Sequence, residues 1–243
     1  MADQKLYCIR IIMCSRDMIM PDIQLLYRDR YLVVCEKPVG IPSESPGLPD
    51  LVGAGLHTKC YPVHRLDQGT GGVAVLALSA GSCEAMRNLF TAGLVRKEYL
   101  AVIENSPPES SGEYTDLLFH DSRKNKSFVV SRNRKGVRDA LCSWNVMESI
   151  HDNDRILTLV HITLHTGRTH QIRVQFASRG YPLAGDRKYG SRVKADTVCL
   201  WASGISFPHP LERHGHIVSA LSMPPALFPW NRFGPLTYSP EDG

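Results

Sequence analysis

The segment VAVLALS, Val73 to Ser79, constrains the fold more than any other stretch of the chain. A strand with one wet face alternates apolar and polar residues. A run that is apolar at almost every position suits a strand covered on both faces. The segment is therefore expected to form a central strand of a sheet, and the 243 residues, 43% of them hydrophobic, are enough to build a sizeable core around it.

The flanking sequence fits that centre. IQLLYRD and YLVVCEK, with β-branched Val33 and Val34, are separated by an Asp-Arg turn and read as a hairpin. KPVGIPSESPG follows, and its three prolines and two glycines predict a loop. From Ser79 to Leu94 the period changes: Cys83, Met86, Phe90 and Leu94 recur at helical spacing, with Ser79 or Ser82 able to cap the start. KEYLAVIE is expected to be a strand, and the segments around SFVVSR, RDALCSWNVMES and RILTLVHITLHT form a meander. GRTHQIRVQFASRGYP reads as a helix from Thr169, with Ile172 and Phe176 on one face and Gly180 as its left-handed stop. WASGISFPHP and HIVSALSMP are expected as closing strands. Runs of strands with a few helices predict one α+β domain and not an alternating parallel fold. The expected organisation is an N-terminal extension over 1–21, one compact domain over 22–235, and a tail over 236–243.

Whole-chain charge says little, since the net charge is only +4, but its distribution says more. Between Ser122 and Arg138 there are seven Lys or Arg residues and no acid. Arg168 to Lys194 holds seven more, with only Asp186 against them. These blocks are either solvated loops or phosphate contacts. Seven cysteines with no C-x-x-C pair are expected to be reduced, mostly packed as small apolar groups in a cytoplasmic protein. The first twenty residues carry Arg10 and Arg16 and do not read as an export signal. No uncharged run approaches the length of a membrane span.

One acidic residue stands out chemically: Asp67 in HRLDQGTGG, just before the central strand. An aspartate beside glycine can simply bond its own backbone in an Asx-turn. It can also be a catalytic carboxylate, which must stay ionised and so needs a fixed cation and hydrogen-bond donors nearby. Arg168 and Arg173 in HTGRTHQIR are five residues apart and cannot share a helix face, so their tasks should differ. One could pair with Asp67 while the other reaches a phosphate. Tyr99 in KEYL offers a ring for stacking on a base and a hydroxyl for moving a proton, or is a core tyrosine. Histidines 161, 165, 170, 214 and 216 lack the spacing of a metal motif, so no metal is expected. An aspartate-nucleophile hydrolase would want further carboxylates near the motifs, and only Asp67 and Asp186 are there.

HRLDQGTGG, KEYLA, HTGRTHQIRVQFA, LAGDRKYG and LWASGISFPHP, in this order, resemble the RluA-type family of RNA pseudouridine synthases. The resemblance runs from about Gln24 to the C-terminal region. It implies a single pseudouridine-synthase-like catalytic domain over 22–235 with a mixed, mostly antiparallel sheet and a central catalytic cleft, isomerisation of uridine in structured ribosomal or transfer RNA, and no cofactor. It also implies site roles. Asp67 is the catalytic aspartate, Tyr99 stacks on the target base and helps remove a proton, and Arg173 pairs with the aspartate. Arg65 enters the RNA and helps displace the nucleotide, Ile172 packs on the flipped base, and Arg168 and Lys97 face RNA or support the site. Asp186 is expected to anchor the turn before Tyr189, and Lys37 and Pro38 to anchor a loop. A monomer with RNA as its partner and no membrane association is expected. The chain departs from the family pattern at Gly71, usually serine, and Trp201, usually histidine. These departures leave open a second reading: an RNA-binding or RNA-folding protein that keeps the cleft with impaired catalysis.

Overall fold

The structure, a computed structural model, describes residues 22–212 and 215–234, together with the backbone of three short strands, β1 (Ile9–Ile11), β2 (Cys14–Ser15) and β3 (Met18–Ile19). The expectations for the tail over 236–243, for His214 and for the side chains of residues 1–21 lie outside the described residues. The chain forms two compact units. The first takes the chain up to Tyr99, then Thr163–His165 and Trp201–Ser222; the second holds Leu100–Ile162, Thr166–Leu200 and the chain from Met223. Three of the boundaries, at Tyr99, Ile162 and Leu200, fall inside strands, so no shift in composition marks them.

The first unit opens on β4 (Ile23–Arg28) and β5 (Leu32–Lys37), the expected antiparallel hairpin, with β1 paired outside β4. Its turn is set by Asp29, whose Oδ1 accepts the amides of Tyr31 and Leu32 at 2.6 Å each. Asp29 Oδ2 accepts the Tyr27 hydroxyl at 2.9 Å and lies 2.7 Å from His209 Nε2. His209 Nδ1 in turn accepts the amides of Leu211 and Glu212. Both ring nitrogens of His209 therefore serve the fold. The proline-rich loop leads into α1 (Leu48–Leu56), which the sequence pattern does not predict. Its local signals are Pro49 in the first turn and Asp50, whose Oδ2 accepts the Gly47 amide at 2.8 Å.

A short strand, β6 (Tyr61–Pro62), pairs with β7 (Gly71–Ala77), the predicted centre. All seven residues of β7 are buried. It runs antiparallel to β5, with Val34 opposite Val75. Ser79 caps α2 (Ala80–Thr91), its Oγ accepting the Ser82 amide at 3.1 Å, and Cys83 and Met86 face the core as expected. β8 (Arg96–Glu104) follows. Leu32, Val34, Val73, Val75, Met86, Phe207 and Val218 make up much of this core; burying a side chain of this size contributes about 1.5–3 kcal/mol.

The second unit is built on β9 (Ser111–Asp121), β10 (Lys126–Val130), β11 (Val137–Asp152) and β12 (Arg155–Leu164), in the order β12-β11-β9-β10. β9 pairs antiparallel with both β10 and β11. Its burial does not alternate cleanly, so the sequence pattern does not predict it. α3 (Gln171–Ala177) starts two residues later than expected. His170 sits in the left-handed region with φ 54°, so the helical run cannot include it. Ile172 and Phe176 are buried as the period implies, Val174 on another face is buried too, and Gly180, with φ 86°, follows as the stop.

The chain then returns to the first unit with β13 (Leu200–Pro208) and β14 (Ile217–Leu221), an antiparallel pair in which Phe207 faces Val218. β13 joins β7 in parallel, Trp201 opposite Gly71 and Ala202 opposite Gly72. The sheet of this unit thus runs β1-β4-β5-β7-β13. The fold is α+β, mixed and mostly antiparallel. Cysteines 35, 60, 83, 142 and 199 are free and buried, consistent with packing as small apolar groups. Among the described residues no helix is long and apolar enough to cross a membrane.

Candidate active site

Asp67 lies on a turn that enters the central strand, and its neighbours are held from several directions. The Ser43 hydroxyl donates to the Leu66 carbonyl at 2.8 Å and accepts the Leu66 amide at 2.9 Å. On the other side, the Gly40 amide donates to the Gln68 carbonyl at 2.8 Å, and Gln68 Nε2 returns a bond to the Gly40 carbonyl at 2.9 Å. The Asp67 main-chain carbonyl accepts the Thr70 amide at 2.9 Å and closes the turn. This main-chain bond closes the turn whatever the Asp67 side chain accepts. Residues 66 and 68 are fixed, so the carboxylate between them is presented from a rigid support.

Lys37 supplies a cation. Its side chain is fully buried, and its ammonium donates to the carbonyls of Ile41 at 2.8 Å, Pro38 at 3.0 Å and Gln68 at 3.4 Å. Burial lowers its pKa to about 8, while the Asp67 charge pulls it upward. It is therefore mostly protonated at neutral pH. An ammonium taken out of water needs such partners. The loop anchor expected from CEKPVG is thus also a positive charge coupled to Asp67.

Tyr99, on β8, is 8% exposed. Burial first, and then the Asp67 charge, push its hydroxyl well above the ordinary phenol range, so it is a neutral phenol. The neutral phenol is therefore the favoured form, and its ring remains a stacking surface. Arg65 points outward, its side chain 65% exposed, with Glu44 at 3.5 Å beside it. Such an exposed pair holds by about 1 kcal/mol at most, leaving the guanidinium able to move.

His64, which opens the motif, carries no task that the sequence assigns. Its Nε2 accepts the Val75 amide at 3.0 Å and its ring stacks on Phe90 at 5.1 Å, tying the Asp67 turn to β7 and α2. Burial first, and Lys97 second, lower its pKa to about 4. Because the folded value lies below the ordinary 6.5, the unfolded chain binds the proton more readily. The stabilisation is complete above about pH 6.5 and is lost as pH falls toward 4. Denaturant titrations at pH 7 and pH 4.5 should show that loss, and His64→Gln should remove most of its pH dependence.

Three predicted site residues belong to the second unit. Arg173 makes a two-pronged ion pair with Asp186, Nε to Oδ2 at 2.6 Å and Nη2 to Oδ1 at 2.9 Å, with side chains 11% and 2% exposed. Its guanidinium lies 5.2 Å from the centre of the Tyr189 ring. Asp186 also anchors its own turn, since its main-chain carbonyl accepts the amides of Tyr189 and Ser191. The sequence predicts that anchor but not the pair with Arg173. Arg168 is exposed and donates from Nε to the Asp139 carbonyl at 2.9 Å, so the two arginines do have different tasks. Ile172 is 3% exposed. Tyr189, expected only to follow a turn, is central here. Its hydroxyl accepts the Ser127 amide at 2.8 Å and lies 3.0 Å from His170 Nδ1, and Lys126 Nζ lies 5.0 Å from its ring centre. Nothing in the spacing of LAGDRKYG signals these cation contacts. Arg123, Lys124, Arg132, Arg134 and Lys135 of the first basic block are all exposed.

Residues 31–178 match the family model described as RNA pseudouridylate synthase. An uncharacterized RNA pseudouridine synthase of Bacillus subtilis is 32% identical over 205 residues, covering 78% of this chain and 65% of that protein. The chain thus spans about two thirds of that relative's length. The ribosomal large subunit pseudouridine synthase C of Buchnera aphidicola is 31% identical over 216 residues, covering 82% of this chain and 67% of its own. In fold, the human RNA pseudouridylate synthase domain containing 1 superposes with a TM-score of 0.73 at 22% identity, covering 84% of each chain. With matches spread over most of its length and a fold to suit them, the chain belongs to the RNA pseudouridylate synthase family of isomerases.

Proposed function

We propose that the chain converts uridine to pseudouridine in structured RNA, with Asp67 as the catalytic carboxylate. The observation that carries this reading is the fixed turn of Asp67 at the entrance to β7, with the buried Lys37 ammonium and the neutral Tyr99 hydroxyl within its electrostatic reach. The reaction breaks the bond from the sugar C1′ to the base N1, turns the base, and joins C1′ to C5. The proton leaving C5 is balanced by one gained at N1. No electrons are exchanged and no group is donated. Asp67 either attacks C1′ or assists departure of the base, and its charge stabilises positive character at that carbon in both routes.

Reaching a stacked uridine costs roughly a few kcal/mol. Arg65, exposed and loosely paired, enters the RNA as the wedge, and Tyr99 and Ile172 receive the displaced base. Because Tyr99 is a neutral phenol, its part in proton removal is a relay through the hydroxyl. Arg173, shaped by Asp186 and Tyr189, pairs with Asp67 in the working site. Arg168 and Lys97 contact the RNA or support these groups. Ribosomal or transfer RNA is the proposed substrate class, in keeping with the names of the Buchnera relative and of a Haemophilus influenzae relative called dual-specificity.

The test is tritium release from uridine labelled at C5 in bulk RNA, together with carbodiimide mapping of the product. Release that requires Asp67 supports the proposal. Binding without product would turn the reading toward an RNA-folding protein. The exposed basic block is proposed to contact phosphates without reading sequence. Changing Arg132, Arg134 and Lys135 together to Gln should weaken RNA binding and flatten the dependence of log K on log salt, by about 0.7–0.9 for each phosphate left without its cation. An unchanged slope in a filter-binding series would return the block to ordinary solvated surface.

A further inference from the structure

The two positions at which the chain departs from the pattern it resembles, Gly71 and Trp201, face each other across the parallel pair of β7 and β13. A Cβ built on Gly71 would lie 2.9 Å from both Cε3 and Cη2 of the Trp201 ring, and closer still to Cζ3. Gly71 is not among the residues with positive φ, so its backbone alone would accept a side chain. The ring of Trp201 is what requires glycine there. Gly72 differs, since its φ of 108° already favours glycine.

Trp201 cannot easily yield. The residue is 5% exposed, and its Nε1 donates to the Ser222 carbonyl at 3.2 Å and to the Ser222 hydroxyl at 3.1 Å. The Ser222 hydroxyl donates onward to Glu36 Oε2 at 2.6 Å, which ties the ring to β5 beside Lys37. On the C-terminal side of Gly71, Gly72 is held opposite both Ala202 and Lys37. The N-terminal side leads through Thr70 directly to the carbonyl of Asp67. Pressure at position 71 is therefore transmitted toward the Asp67 turn.

We propose that Trp201 is a positioning residue for Asp67, and that Gly71 and Trp201 form one matched pair that fixes where the Asp67 turn begins. The proposal rests on the catalytic reading of Asp67. Gly71→Ala should lower kcat by roughly 10- to 100-fold, the scale expected when a reacting group is misplaced by about an ångström, with RNA affinity nearly unchanged. Combining Gly71→Ser with Trp201→His, which makes room for the added atoms, should restore most of kcat.

Kinetics and thermal melting of Gly71→Ala, Gly71→Ser, Trp201→His and the double variant decide it. Rescue of turnover in the double variant supports the proposal, even if Gly71→Ser alone fails to fold. Full kcat in Gly71→Ala, or a well-folded double variant as slow as Gly71→Ser, overturns it. Asp67→Asn in the same assay separates the two levels. If that variant turns over, the catalytic reading fails. If it is inactive while Gly71→Ala is fully active, only the positioning role fails.

Discussion

Asp67→Asn is expected to abolish pseudouridine formation while RNA binding stays within a few-fold of wild type. The substitution keeps size and shape and removes the charge, so the area shared with RNA hardly changes. What disappears is stabilisation of the transition state, and removal of a catalytic group of this kind costs on the order of 10⁴ or more in kcat. A tritium-release assay at saturating RNA reads kcat, and a binding titration reads affinity. Normal turnover would end the assignment. The same variant has a second signature. The Asp67 charge now raises the pKa of Lys37 against burial and adds to the upward push on the Tyr99 hydroxyl. In Asp67→Asn, the Lys37 ammonium should titrate below about 8 and the phenol of Tyr99 should become more acidic. Spectrophotometric titration of tyrosine can follow the latter.

Arg173→Ala is expected to unfold the protein far more easily than a surface substitution would. Asp186 is 2% exposed at its side chain and meets Arg173 through two short bonds. Removing the guanidinium leaves a carboxylate buried without its counter-charge, which costs about 3–5 kcal/mol. Stacking against Tyr189 goes with it. Denaturant unfolding should show the midpoint falling without a change in slope. Arg173→Ala combined with Asp186→Ala should recover part of the stability, because no unpaired charge remains. If the double variant is as unstable as the single one, the pair does not matter to stability. Turnover distinguishes the proposed second task of Arg173: if it also partners Asp67, the double variant regains stability but not activity.

The elements legible in the sequence are those with strong local signals. VAVLALS declares the buried central strand by its unbroken apolar run, and Ser79 with the spacing of Cys83 and Met86 declares α2. Short or irregular elements escape. α1 has nine residues, and β9 buries only Tyr114 and Leu118 among exposed and half-buried positions, so neither has a clear period. The separation into two compact units also escapes, since the chain passes between them within β8, β12 and β13. Among the site residues, Asp67 and Arg173 stand out by type and setting. Their partners do not, because Lys37 lies 30 residues before Asp67 and Asp186 lies 13 after Arg173.

By itself the sequence determined the sheet's centre, the family resemblance and the residue types available for chemistry, because periodicity, turn residues and motif order are properties of neighbours along the chain. Only the tertiary structure decided which charges meet: Lys37 caged by carbonyls beside the Asp67 turn, Arg173 gripped by Asp186, and Trp201 set against a glycine. The physical reason is that desolvation and short-range forces depend on distance in space, and folding brings together groups whose spacing in the chain carries no such information.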